Sequence, residues 1–229
     1  MPFSDLPNAA EIWQNTLAWQ PNEQQQQKFA AFYQAMLTAN SQFNLTRITD
    51  AKDFWEKHLW DALSGIQPWL TDLTLNPGAL VVDIGSGAGV PGIPVALARP
   101  DWQVTLLEAR RKKVSFLESL PQLLGLTNVN AVWSRAEDYH PQASFDLALV
   151  RAVGNIQQCL HFALPLVKPG GLVILYRGQF QASDNHDLEK ELSHWQATLE
   201  QVLSWQTPLT GGTRHCLLIR RPGHAPRPH

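Results

Sequence analysis

Val81-Val82-Asp83-Ile84-Gly85-Ser86-Gly87-Ala88-Gly89-Val90-Pro91-Gly92-Ile93-Pro94 is the stretch on which the chain turns. Ala79 to Val82 is an apolar run that reads as a buried strand. It gives way to an acidic residue, then to glycines at every second position, then to a segment (Pro91 to Ala98) that can form a helix. Glycines let a backbone bend tightly and approach a ligand without a Cβ clash. A helix in that place is expected to direct its free N–H groups back at the same ligand.

The spacing narrows the choice of nucleotide. A dinucleotide fingerprint beginning at Gly85 needs its third glycine at position 90, where Val90 stands. A P-loop needs Lys-Ser or Lys-Thr after its last glycine, and Gly92 is followed by Ile93-Pro94. What remains is Asp-x-Gly-x-Gly-x-Gly. A carboxylate two residues ahead of the first glycine repels a pyrophosphate but suits a cationic ligand carrying an amino group and a sulfonium. S-adenosylmethionine is such a ligand. The alternative is a purely structural strand–helix turn. Downstream, Trp102 to Leu107 reads as a second strand ending at Glu108. An acid roughly twenty positions after the glycine turn, at a strand tip, is placed to accept from both ribose hydroxyls; otherwise Glu108 is a solvated loop acid.

Composition sets the bounds. A length of 229 residues allows one large domain, or one domain with a small extension. The uncharged run Ile84 to Ala98 is too short and too rich in glycine and proline to span a membrane, and no basic-then-apolar segment opens the sequence. Cys159 and Cys216 lie far apart and offer neither a disulfide framework nor a metal motif. Both are expected to be buried small hydrophobes in a reducing cytoplasm. A net charge of −2 and a pI of about 6.4 count against a general nucleic-acid binder, so any RNA contact rests on a local patch.

From Asn8 to Trp60 the periodicity is helical: Ile12, Trp13 and Leu17 share a face, as do Phe29, Phe32, Tyr33, Met36 and Leu37. Asn44-Leu45-Thr46-Arg47 interrupts it, and a third helix begins near Asp50, with His58 and Asp61 three apart on one side, where the plainest reading is a surface pair. Pro68 and Asn76-Pro77-Gly78 break the chain before the glycine strand. After Ala79, strands and helices alternate. Helices are expected over Arg110 to Leu124, Asn155 to Leu166 and Asp187 to Trp195. Strands are expected over Val129 to Trp133, Phe145 to Val150, Leu172 to Tyr176 (after a turn at Lys168-Pro169-Gly170-Gly171), Leu199 to Leu203 and Arg214 to Ile219. This predicts an α/β fold with a mostly parallel, seven-stranded sheet, the last two strands forming an antiparallel hairpin at one edge. Residues 1–70 are expected to form a helical cap, 71–220 the core and 221–229 a disordered tail. Asp83, Glu108, the Ala136-Glu137 turn and Arg151 all fall at strand ends on the ligand-binding edge of such a sheet.

Taken together, these segments resemble one family. Asn44-Leu45-Thr46, His58 with Asp61, Asp83 to Pro94, Leu106-Leu107-Glu108, Lys113-Val114-x-Phe116-Leu117, Arg135-x-Glu137, Arg151-Ala152, Gly178-Gln179 and Arg214-His215 stand in the order found in the RsmG (GidB) proteins. These are bacterial 16S ribosomal RNA methyltransferases. The resemblance runs from about Asn8 to Ile219. It implies a Rossmann-like class I methyltransferase with S-adenosylmethionine as cofactor and 16S rRNA of the small ribosomal subunit as partner. The reaction it implies is methyl transfer to guanine N7 by a cytoplasmic monomer with no metal. It places Asp83, Gly85, Gly87 and Gly89 on the methionine side of the cofactor and Glu108 at the ribose, with Ser86, Pro91, Leu107 and Ala109 also among the cofactor-binding residues. Ala136 and Glu137 are placed at the adenine edge. Arg151 is placed at both cofactor and RNA, as the catalytic residue, and Arg47, His58, Arg177, Arg214 and His215 face the RNA. Two positions depart from the family: Ala62 replaces a frequent Ser, and Arg177 a frequent Lys. A phosphate contact tolerates that second change better than proton transfer would.

The chemistry is coherent without the resemblance. Cytosine C5 transfer needs a cysteine nucleophile in a Pro-Cys loop, and neither cysteine lies in one. Adenine amino methylation uses an Asp/Asn-Pro-Pro-aromatic turn, where Arg151-Ala152-Val153-Gly154 stands. Guanine N7 has an exposed lone pair and needs only in-line positioning. Arg151 is then expected to contact O6 or a flanking phosphate, N7 being left free; the alternative is an arginine paired with an acid such as Asp83. Arg110 to Lys113 is either a solvated face or a phosphate dock. A small-molecule methyltransferase and a non-catalytic cofactor-binding module remain as rival readings.

Overall fold

The computed structural model describes residues 6–7, 9–71, 77–141, 144–180 and 182–223. The expected break at Asn76 and the chain beyond Gly223 lie outside them. Seven strands form one sheet in the order β3-β2-β1-β4-β5-β7-β6. They are β1 (Leu80–Ile84), β2 (Gln103–Glu108), β3 (Val129–Trp133), β4 (Phe145–Arg151), β5 (Val167–Arg177), β6 (Thr198–Gln206) and β7 (Thr213–Arg220). The first five run parallel, and β7 pairs antiparallel with both β5 and β6, which gives the expected edge hairpin. The strand order reverses at β1, so the crevice at the carboxyl ends of β1 and β4 is the topological switch point.

Each face of the sheet buries its own set of side chains, because successive residues of a strand point to opposite sides. Leu147 and Leu149 of β4 join Val81 and Leu106 on one face; Ala148 and Val150 join Val82, Ile84 and Leu107 on the other. The first face is covered by α1 (Ala10–Leu17), α2 (Glu23–Gln42), α5 (Gly92–Ala98) and α6 (Arg111–Leu124). A continuous rod lies with them, made of α3 (Ala51–Phe54), a π-helical stretch (Trp55–Trp60) and α4 (Asp61–Ser64). The second face is covered by α7 (Ile156–Ala163) and α8 (Ala182–Trp195). Helix starts follow local chemistry. Asn22 and Gln25 form a capping box on α2, Asn155 and Gln158 another on α7, and Asp50 accepts from the N–H groups of Lys52 and Asp53.

The amino-terminal helices are fastened to the core by named contacts. Gln25 donates to the Leu97 carbonyl at 2.9 Å, Lys28 to Gly125 at 3.1 Å and the Tyr176 hydroxyl to Ala62 at 2.8 Å. Gly65 must lack a side chain, since a Cβ there would stand 2.4 Å from the Tyr176 ring.

Three expectations are corrected. The turn at Lys168 to Gly171 is part of β5, which begins at Val167 and absorbs the extra residues as a register shift against β4. Arg221, expected in a disordered tail, donates its backbone N–H to Gly171 at 2.9 Å. His58 and Asp61 are buried; sequence spacing predicts which residues share a side but not what covers that side.

Candidate functional site

The glycine turn is a compact device organised by two acids. Gly85, Gly87 and Gly89 have φ of 70°, 58° and 88°, a region that side chains disfavour. At Gly85 a Cβ would also stand 2.9 Å from Val153, and at Gly89 2.9 Å from Ile93. The turn is sewn to β2, since Gly85 and Ser86 donate to the Leu107 carbonyl at 2.8 and 3.1 Å. Glu108 is buried and accepts from Gly87 N–H at 3.0 Å through one oxygen and from Arg110 N–H at 2.8 Å through the other. Ser134 N–H donates to the Glu108 carbonyl at 3.2 Å, which brings the Ala136-Glu137 turn beside Glu108. Asp83, the glycines, Ser86, Leu107, Glu108, Ala109 and residues 136–137 therefore meet at one place. The Glu137 side chain itself is exposed and only loosely paired, 3.5 Å from Arg135.

Asp83 is 1% exposed. One carboxylate oxygen accepts from Gly92 N–H at 2.9 Å; the other, Oδ1, is buried with no hydrogen-bond partner. Burial pushes this carboxyl up to about 7, against the pull of the Gly92 hydrogen bond and the charge of Arg151. A buried acceptor left without a donor carries an unmet desolvation cost. The amino group of S-adenosylmethionine is a donor of matching charge, so the residues present fit that cofactor. The helix behind the turn does less than expected. Gly92 N–H goes to Asp83 and Ile93 N–H to the Gly89 carbonyl at 2.8 Å, so the first turn of α5 spends its donors internally and presents none to a ligand. Pro91 precedes it as a buried turn residue.

A second constellation lies at the ends of β4, β5 and β7. Arg151, Ala152, Tyr176, Arg177, Gly178 and Arg214 line a cleft of about 360 Å³ with Asp61 at its wall. Arg151 donates to the Lys57 carbonyl at 2.6 Å and pairs with Asp61 at 3.2 Å. Arg214 pairs with the other Asp61 oxygen at 3.4 Å. The acid partner of Arg151 is thus Asp61 rather than Asp83, and its guanidinium is held by the helical rod rather than by the glycine turn. Burial pushes the Asp61 carboxyl up while the two guanidiniums pull it down, and burial outweighs them. Ala152, at φ 56°, turns the chain sharply after Arg151, a conformation uncommon for a residue with a Cβ. Arg177 donates to the Gly154 carbonyl at 3.0 Å, and His215 Nδ1 lies 3.0 Å from the Gly178 carbonyl.

Of the residues expected to face RNA, Arg47 is exposed and Arg151, Arg177, Arg214 and His215 are part-exposed at the cleft or beside it. His58 is a correction. It is 7% exposed, and burial together with the neighbouring Arg151 lowers its pKa to about 3, so it is a neutral ring behind the surface. Its Nε2 stands 3.5 Å from the Thr46 hydroxyl. Sequence reading missed three residues. Asp61 was visible as the partner of His58 in spacing and in the family pattern, but without a role of its own. Glu56 is buried and accepts from Leu209 N–H, Thr210 N–H and the Thr210 hydroxyl. Tyr176 carries no local signal, because its partner Ala62 is distant in sequence. Among the described residues no group of three or more potential metal ligands occurs, and no helix is long and apolar enough to cross a membrane.

Sequence comparisons with known proteins agree on one family. The family model described as rRNA small subunit methyltransferase G (GidB) matches residues 25–216. The ribosomal RNA small subunit methyltransferase G of Thermosynechococcus vestitus is 51% identical over 215 residues, covering 92% of this chain and 93% of that protein. Among solved structures, a methyltransferase from Pyrococcus furiosus is similar at a TM-score of 0.59 and 16% identity, over 84% of this chain and 97% of that one. The N-methyltransferase NodS of Bradyrhizobium japonicum, solved with S-adenosyl-L-homocysteine, is similar at 0.56 and 12%, over 84% and 99%. At these identities the structural matches speak to the Rossmann-like methyltransferase fold alone.

Proposed function

The chain belongs to the GidB family, rRNA small subunit methyltransferase G, and on that premise we propose that it moves the methyl group of S-adenosylmethionine to N7 of a guanine in 16S rRNA. The observation that carries the cofactor assignment is the unpartnered, buried Oδ1 of Asp83 beside the glycine turn. Asp83, the turn from Gly85 to Gly89, Ser86, Leu107, Glu108, Ala109 and residues 136–137 would hold the cofactor, which supplies an electrophilic methyl on a sulfonium.

The chain's own work is positional. Guanine N7 attacks through a lone pair and no proton leaves it, so no general base is required. Arg151 is the residue placed to orient the base, through O6 or a flanking phosphate. Its guanidinium is held by the Lys57 carbonyl and Asp61, so Asp61 is a positioning residue acting through Arg151 and Arg214. Arg177 and Arg214 supply phosphate contacts at the same cleft, and the buried Asp61 keeps the three cations from forming an unbalanced cluster. The protein acts in the cytoplasm as a monomer on this reading.

Arg151→Ala is expected to lower kcat by about 100-fold or more, the scale of a misplaced reactant, while the Kd for S-adenosylmethionine by calorimetry stays within error. Equal loss of both would remove the positioning role. Asp61→Asn should lower kcat in the same direction without moving cofactor affinity. Expression in a bacterial strain lacking its own enzyme, followed by analysis of its 16S rRNA for N7-methylguanosine, tests the reaction; an unmodified rRNA sinks it.

A further inference from the structure

Arg110, Arg111, Lys112 and Lys113 lie where β2 passes into α6; the first three are exposed, and none of the four forms an ion pair among the described residues. Beside them, at the end of β3, Trp133 is 58% exposed, the highest value among the exposed large hydrophobic side chains of the described residues. The ring is held in place rather than left loose. Its Nε1–H donates to the Ala109 carbonyl at 3.0 Å, and the Arg111 guanidinium sits 4.9 Å from a ring centroid. An ordered aromatic surface next to unpaired cations has the chemistry of single-stranded nucleic-acid binding, in which rings stack bases and cations take phosphates.

Placement supports this. Trp133 and the cleft of Arg151, Arg177 and Arg214 stand at the same, carboxyl edge of the sheet, with the glycine turn after β1 between them. Three strand spacings separate β3 from β4, roughly 14 Å, a span of a few nucleotides. With a net charge of −2 the protein has no general attraction for RNA, so binding must come from such local groups.

We propose that Arg111, Lys112 and Trp133 form a second arm of the rRNA interface, flanking the cofactor on the side opposite the arginine cleft. The two cations take backbone phosphate, and the indole face stacks an unpaired base. This rests on the rRNA reading above.

The test uses the full-length protein with small subunits isolated from a strain that lacks the modification. Trp133→Ala should raise KM for the subunit by about five-fold or more, Trp133→Phe should restore most of the loss, and the Kd for S-adenosylmethionine should not move. Arg111→Ala with Lys112→Ala should flatten the dependence of log KM on log salt by about 1.5, as expected for two lost phosphate contacts. Unchanged KM and salt slope in variants that melt like the parent would overturn the second arm and leave the rRNA reading standing. A fall in cofactor affinity with Trp133→Ala would reassign the ring to the adenine pocket and overturn it too. Failure of the parent protein itself to methylate the subunit would sink the rRNA reading and the arm together.

Discussion

Asp83 shows how one residue can be poised for a charged ligand at the cost of its own solvation. Burial holds its carboxyl near 7, where an ordinary aspartate titrates near 3.8. A cation binds the ionised form, so below pH 7 ligand binding must also drive off a proton. Affinity for S-adenosylmethionine should therefore fall about 15-fold in all as pH drops from 7 to 5.5, with protons released on binding. Calorimetry in buffers of different ionisation enthalpy measures that release, and Asp83→Asn should abolish it. His58 has the opposite sign. Its folded value, about 3, lies below the 6.5 of an ordinary imidazole. Its contribution to stability is therefore present above pH 6.5 and lost as pH falls toward 3. Between pH 6.5 and 5 that loss amounts to about 2 kcal/mol. Denaturation of His58→Gln across this range should show a correspondingly shallower decline than the parent.

The elements that set the arginine cleft are the π-helical rod and the edge hairpin. Trp55–Trp60 carries Glu56 toward the hairpin loop and Lys57 toward Arg151, while Asp61 just beyond it pairs with both Arg151 and Arg214. Glu56→Ala would leave Leu209 N–H and Thr210 N–H without their buried acceptor. We expect a stability loss of about 3 kcal/mol, read by denaturant unfolding, together with weaker subunit binding as Arg214 loses its support. Little of this was legible beforehand. Hydrophobic periodicity in residues 50–63 announces a helix, but it does not distinguish a π-helical turn from an α turn, and it led His58 and Asp61 to be read as a surface pair. The register of β5 through Lys168 to Gly171 was hidden for a similar reason: a Pro-Gly-Gly run is a turn signal unless neighbouring strands pair with it.

For the whole molecule, the amino-terminal helices and the sheet share one apolar cluster. Trp13, Leu17, Phe29, Phe32 and Met36 are contiguous with Val81, Leu106, Leu147 and Ile174. Deleting residues 1–49 would forfeit roughly 10 kcal/mol of side-chain burial, comparable with the net stability of a typical domain. Such a truncation is expected to be insoluble or to lack a cooperative melt by circular dichroism, whereas a separable cap would leave the core's transition intact.

The sequence by itself determined the order and type of the strands, the glycine turn with its two acids and the convergence of Asp83, Glu108 and Arg151 at the sheet's carboxyl edge. Those features are local: a period of two or 3.6, a glycine where φ must be positive, an acid at a strand end. Only the tertiary structure decided that Asp83 keeps an oxygen without a donor and that α5 offers its N–H groups to Asp83 and Gly89. It alone decided that Arg151 answers to Asp61 and that His58 is neutral inside. Each of these depends on what a distant segment places over the side chain, and burial and pairing across such distances leave no mark in the local pattern.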